Sequence, residues 1–140
     1  MTGRRVVVDA SAVLAFVLRE RAAAVVAQIL PYAVITAANM TEVLYRAPER
    51  GYRNSPQTLF AELLSTDLEV EPVTEDDSVR AAELVAASRA ARSTADDRSL
   101  SLGDGICIAV AERLGLPVTG GDTHWGTLDL KTQFFPLRGG

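Results

Sequence analysis

Residues 5–18 read RVVVDASAVLAFVL. The β-branched run from Arg5 to Val8 predicts a short buried strand that stops at Asp9, and Leu14, Val17 and Leu18 then recur as one face of a helix. Strand, acid, helix is therefore the first unit, and the rest of the chain repeats its alternation. Arg21 to Leu30 predicts a second helical piece closed by Pro31, and Ala33 to Thr36 a second strand. Met40, Val43 and Leu44 return at helical spacing until Ala47 and Pro48 break the pattern. Ser55 followed by Pro56 is a cap with proline in the first helical position, and Leu59, Phe60, Leu63 and Leu64 form that helix's apolar face. Leu68 to Val73 alternates apolar with acidic residues and predicts a third strand, more exposed than the first two. Thr74 caps the next helix, whose first turn holds Glu75, Asp76 and Asp77, where the macrodipole favours negative charge. Residues 92–102 are polar and read as a loop. A helix starts near Ser101, runs through Ile106, Cys107, Val110, Ala111 and Leu114, and ends at Gly115. Leu116 to Thr119 predicts a fourth strand, Gly120 and Gly121 a turn, and Phe134 to Leu137 a last edge strand. Short apolar strands alternating with helices require a central, mostly parallel sheet covered on both faces, an α/β fold.

Composition sets the frame for this pattern. The chain has 140 residues, 48% of them apolar and 23% charged, the balance of an ordinary globular protein. A chain of this length buries one hydrophobic core without disulfides, and no repeat, linker or long charge block divides it, so a single domain over residues 1–140 is expected. The formal net charge of −4 does not mark the whole molecule as a nucleic-acid binder. Asp9 interrupts the only stretch resembling a leader, and no segment has the length to span a bilayer. The single cysteine, Cys107, reads as part of a buried helix face, as in a reducing compartment. A cytoplasmic location with no membrane association is the expectation.

In a parallel sheet of this kind, ligands bind outside the carboxyl ends of the strands. Asp9 directly follows the first strand, and Asp122 follows the fourth after the two glycines. Glu42 lies about a turn and a half into the helix after the second strand, and Asp104 in the first turn of the helix before the fourth. Four acids would thus meet at one end of one sheet. Two carboxylates ~4 Å apart repel by roughly 4 kcal/mol at an effective dielectric of ~20, so such a group protonates or binds cations. Hard oxygen ligands without cysteine or histidine select magnesium or manganese over zinc. A divalent ion held this way lowers the pKa of a bound water and neutralises charge building on phosphoryl oxygens. Taken singly, each acid has a plainer reading: Asp9 an N-cap, Asp104 a first-turn acid, Glu42 a solvated helix position, Asp122 a turn residue beside glycine.

These residues carry a family resemblance. VVVDASAVLAFVLRE resembles the opening of a PIN domain, with the first metal-binding aspartate at Asp9 and a hydroxyl at Ser11. NMTEVLYR is similar to the second block, carrying Glu42. SLGDGICIAVAERLGLPVTGGDTHW resembles the third and fourth, with Asp104 in the SLGD signature and Asp122 in the position of the family's T-x-D turn. The resemblance implies a three-layer α/β/α sandwich and a magnesium- or manganese-dependent endoribonuclease acting on RNA. It further implies the toxin of a VapBC-type module, a homodimer, and a cognate VapB-type antitoxin that occludes the site. Gly120 and Gly121 depart from the family's more usual single glycine or small residue plus alanine, which suggests a looser backbone around Asp122. Ser11 and Thr119 are placed either to contact the metal's waters and orient Asp9, or to cap and turn the chain. Asn39 either steadies Glu42 or is an exposed helix residue. His124 and Trp125 either touch RNA or pack a loop. Asp96 and Asp97 read as loop charges. Thirteen of the fourteen basic residues are arginine, suited to phosphate, and Arg80, Arg89, Arg92 and Arg98 suggest a local basic surface.

Other functions fit less well. An aspartyl-nucleophile phosphatase wants a second aspartate where Ser11 stands, and a lysine better placed than Lys131. A receiver domain wants an acceptor aspartate after the third strand, which instead ends in Val73 and Thr74. A catalytically silent binding module on the same fold would not need all four acids.

Overall fold

The computed structural model describes residues 5–92, 99–120, 125 and 130–137. The elements in chain order are β1 (Val6–Val8), α1 (Ala10–Val17), α2 (Ala23–Ile29), a 3-10 turn (Leu30–Tyr32), β2 (Ala33–Thr36), α3 (Ala37–Glu49), α4 (Pro56–Leu64), β3 (Glu69–Glu71), α5 (Glu75–Ala90), α6 (Leu102–Leu114), β4 (Val118–Gly120) and β5 (Phe134–Pro136). The strands form one five-stranded sheet in the order β3-β2-β1-β4-β5, with every pair parallel.

Side chains alternate along each strand and divide the core in two. Val8 and Ile35 face a cluster with Val13, Leu14, Val26, Val43, Leu59 and Leu63 from α1 to α4. Val7 and Val34 face the other side, against Ala81, Leu84, Cys107, Ile108 and Ala111 from α5 and α6. The result is the three-layer sandwich. Helices α5 and α6 come so close that a Cβ on Gly105 would stand 3.0 Å from the Ala81 carbonyl oxygen and 2.8 Å from Val85 Cγ2.

Caps fix where the helices begin. Asp9, Thr36, Ser55, Thr74 and Ser101 each accept a backbone N–H from the first turn. Thr74 with Asp77 and Ser101 with Asp104 form reciprocal capping boxes. Gly115, at φ 66°, ends α6 in the left-handed region.

Three boundaries differ from the sequence reading. Pro48 does not stop α3, which continues to Glu49; near the helix end the ring removes little hydrogen bonding, and fully buried Ala47 holds the turn to the core. The fourth strand starts two residues later than Leu116, because the Leu116 N–H is used by the Ala111 carbonyl to close α6. Gly120 is then the last residue of β4, paired with Pro136, and not part of a turn. Leu64, assigned to an apolar helix face, is 41% exposed.

Candidate active site

From the central strand β1 the sheet extends to β2 on one side and to β4 on the other. Adjacent parallel strands whose connections leave in opposite directions open a crevice at their carboxyl ends. Asp9 sits at the end of β1 in that crevice and is only 5% exposed. Its carboxylate is held tightly. Ser11 Oγ lies 2.9 Å from each oxygen, the Ala12 N–H donates to Oδ1 at 2.8 Å, and the Asp9 N–H donates to the Thr119 carbonyl on β4 at 3.3 Å. Asp9 therefore caps α1, its plainer reading, and in doing so leaves a buried carboxylate at the crevice.

The space for that carboxylate is supplied by Gly120. A Cβ there would stand 2.6 Å from Asp9 Cγ and 3.0 Å from Oδ1, and would overlap Oδ2. The first glycine of the pair is thus the wall against which Asp9 rests, while the backbone around Asp122, expected to be looser, lies outside the described residues.

Glu42 and Asp104 reach the same region from opposite layers of the sandwich. Asn39 on α3 donates from Nδ2 to the Gly103 carbonyl on α6 at 3.1 Å, while its Oδ1 accepts from Thr36 Oγ1 at 2.7 Å. Asn39 is 2% exposed, so it is not the solvated helix residue the sequence allowed. It joins the two helices that carry the acids. Because Gly103 has no side chain, Glu42 Oε1 fits 3.1 Å from where a Cβ would be. Asp104, the next residue, accepts the Ser101 N–H at 3.0 Å and returns its own N–H to Ser101 Oγ at 3.1 Å.

Cys107 ties α6 to the end of β1. One turn beyond Asp104, it is fully buried with its Sγ 3.8 Å from the Val8 carbonyl. Burial pushes its thiol well above the ordinary range, and the negative charges of Asp9, Asp104 and Glu42 all push it further. Its Val8 contact brings α6, which carries Asp104, to the end of β1, which carries Asp9, 95 residues earlier in the sequence. Asp122, the fourth, lies outside the described residues, as do His124, Asp96, Asp97 and Arg98.

The donor chemistry suits a hard dication, since each site side chain offers only carboxylate oxygen. Among the described residues, however, no three Asp, Glu, Cys or His side chains are gathered closely enough to hold a metal by themselves. Glu42 is engaged instead by Arg46, whose Nε is 3.0 Å from Oε2.

Other side chains have structural roles. The Thr119 hydroxyl donates to the Phe135 carbonyl and so joins β4 to β5, and its backbone carbonyl accepts the Asp9 N–H. Trp125 is fully buried and packs on Phe134 with ring centroids 5.8 Å apart, so it does not reach RNA. Arg80 is drawn into a two-point ion pair with Glu112, at 2.7 and 3.2 Å, and is not part of a free basic surface.

A sequence model of the PIN domain matches residues 6–128. The chain belongs to the PIN domain family. Solved structures share the fold of this PIN domain at low identity. VapC20 of Mycobacterium tuberculosis, described as a toxin cleaving the sarcin-ricin loop, superposes with a TM-score of 0.68 at 19% identity, over 89% of this chain and 95% of that one. A DNA-bound VapBC from Salmonella typhimurium gives 0.67 at 15%, over 97% and 100%. A toxin-antitoxin complex from Klebsiella pneumoniae gives 0.64 at 19%, over 84% and 87%. At these identities the likeness is one of fold. No curated protein matches the sequence.

Proposed function

We propose that this PIN domain is a magnesium- or manganese-dependent endoribonuclease and the toxin of a VapBC-type module, acting in the cytoplasm as a homodimer. The observation that carries the reading is geometric: Glu42 on α3 lies against Gly103, the neighbour of Asp104 on α6, and Cys107, one turn further along α6, lies against the Val8 carbonyl beside Asp9. Asp122 follows β4 in sequence and is assigned as the remaining ligand. With Asp9 and Asp104 it holds the dication, and Glu42 completes or orients the set once it is released from Arg46. The bound ion supplies a water of lowered pKa and neutralises charge on the phosphoryl oxygens. The protein's own contribution is positioning. Ser11 fixes the Asp9 carboxylate, Ser101 fixes Asp104, and Asn39 sets the separation of the two helices. The proposed cognate partner is a VapB-type antitoxin that covers this rim. Two observations support the toxin reading: the family and the toxin-antitoxin complexes among the structures of like fold.

The deciding experiment is cleavage of total and structured RNA with magnesium or manganese, with chelator, and with Asp9→Asn. Asparagine caps a helix as well as aspartate, so the variant should keep its melting temperature. Its cleavage should fall on the order of 10²–10³-fold, the equivalent of several kcal/mol of lost charge stabilisation. Cleavage that survives both chelator and substitution contradicts the proposal, and a protein that never cleaves RNA is a silent module on the same fold.

A further inference from the structure

Glu42, Tyr45 and Arg46 stand at i, i+3 and i+4 on α3 and therefore share one face of the helix. Tyr45 is 55% exposed. The guanidinium carbon of Arg46 lies 5.7 Å from the centroid of its ring, within the reach of a cation–π contact. Arg46 Nε is buried and stands 3.0 Å from Glu42 Oε2 as an ion pair without a hydrogen bond, while the side chain as a whole stays 42% exposed. A guanidinium has five N–H donors in a planar fork, more than one carboxylate oxygen can use.

A partly exposed i,i+4 ion pair adds little to a helix, and folding gains little from an aromatic ring left in water. The combination fits a ligand better than it fits the fold. Single-stranded nucleic acid is held by stacking bases on aromatic rings and by pairing phosphates with cations. A chain of net charge −4 with converging acids repels a polyanion, so a cation and a π face beside those acids are what the substrate needs there. Leu102, next to the Gly103 that touches Glu42, adds a 67% exposed apolar side chain to the same neighbourhood.

We propose that Tyr45 and Arg46 form a platform for one nucleotide of single-stranded RNA beside the acids, Tyr45 stacking the base and Arg46 taking the adjoining phosphate. The proposal rests on the ribonuclease reading and assigns where its substrate lies.

The test uses the full chain and a fluorescein-labelled mixed-sequence RNA of about ten nucleotides, a length matched to typical single-strand site sizes. Binding is followed by anisotropy in chelator, across a range of salt. Tyr45→Ala should weaken binding about tenfold, whereas Tyr45→Phe should bind like the parent. Arg46→Ala should weaken binding and reduce the log–log salt slope by about 0.7, one phosphate's worth, and Arg46→Lys should restore the slope. Equal melting temperatures by circular dichroism show that the variants fold. Tyr45→Ala and Arg46→Ala with parental affinity and slope overturn the platform, and so does a changed oligomeric state with RNA binding unchanged, which makes this face a contact between chains. A parallel assay with manganese separates the two levels. Variants that cleave with parental KM overturn the platform alone, while a parent chain that never cleaves overturns the ribonuclease reading and the platform with it.

Discussion

Replacing Gly120 by alanine tests whether the Asp9 carboxylate must stand where it does. The added Cβ would meet Asp9 at 2.6 Å from Cγ and 3.0 Å from Oδ1, so backbone or carboxylate has to move. If the backbone yields, the cost is that of overpacking, typically 1–3 kcal/mol. If the carboxylate swings away, α1 loses the Ala12 cap, worth about 1 kcal/mol, and Ser11 loses its acceptor. Either route gives a loss of about 1–3 kcal/mol, which for a chain of 140 residues lowers the melting temperature by roughly 3–10 °C. A displacement near 1 Å also costs about 10²-fold in reactions that depend on fixed geometry, so RNA cleavage should fall by that order even below the new melting temperature. Differential scanning calorimetry and a cleavage assay at 20 °C read the two effects separately. Alanine at this position with parental melting and parental activity would refute the packing of Asp9 against β4.

Three further outcomes follow from named contacts. Asn39→Leu removes the link from α3 to the Gly103 carbonyl and leaves buried groups unsatisfied, so urea denaturation should show a loss of about 1–3 kcal/mol with cleavage reduced beyond what stability explains. Ser11→Ala frees the Asp9 carboxylate from its hydroxyl; manganese affinity by isothermal titration should fall about 10–100-fold with little change in fold. Acid stability depends on Asp77 and Glu112. Burial works against ionising Asp77, but the Arg113 guanidinium and the Thr74 cap outweigh it and hold its pKa below the ordinary 3.8; burial likewise opposes ionising Glu112, and Arg80 with the Lys131 N–H holds it below 4.5. A depressed folded-state pKa contributes stability above the unfolded value that disappears as pH falls through the folded one. Denaturation midpoints should therefore drop below about pH 4, and Asp77→Asn should flatten that drop.

The elements most legible in the sequence were those whose local signals agree. Residues 5–9 join a β-branched run to a capping acid, residues 101–115 join a capping box to a left-handed glycine, and both fold as read. The place of Asp9 was legible because it directly follows β1, whose carboxyl end opens the crevice. What stayed hidden depends on partners far along the chain. Asn39 looks like any polar helix residue until α6 brings the Gly103 carbonyl to it, 64 residues away. Gly120 reads as a turn glycine because nothing local shows that the Asp9 carboxylate occupies its missing side chain. Arg80 reads as a free cation because its acceptor, Glu112, lies on another helix. Arg46, by contrast, had a visible signal: an arginine four residues after a site glutamate, beside a tyrosine, within the NMTEVLYR block.

The central claim is tested most directly by diffraction at the manganese absorption edge from crystals grown with manganese chloride. One or two anomalous peaks are expected in coordination contact with the Asp9 and Asp104 carboxylates at the crevice between β1 and β4, and are expected to vanish in Asp9→Asn. Saturating manganese with no peak at that crevice, or with peaks only on distant surface acids, would contradict it.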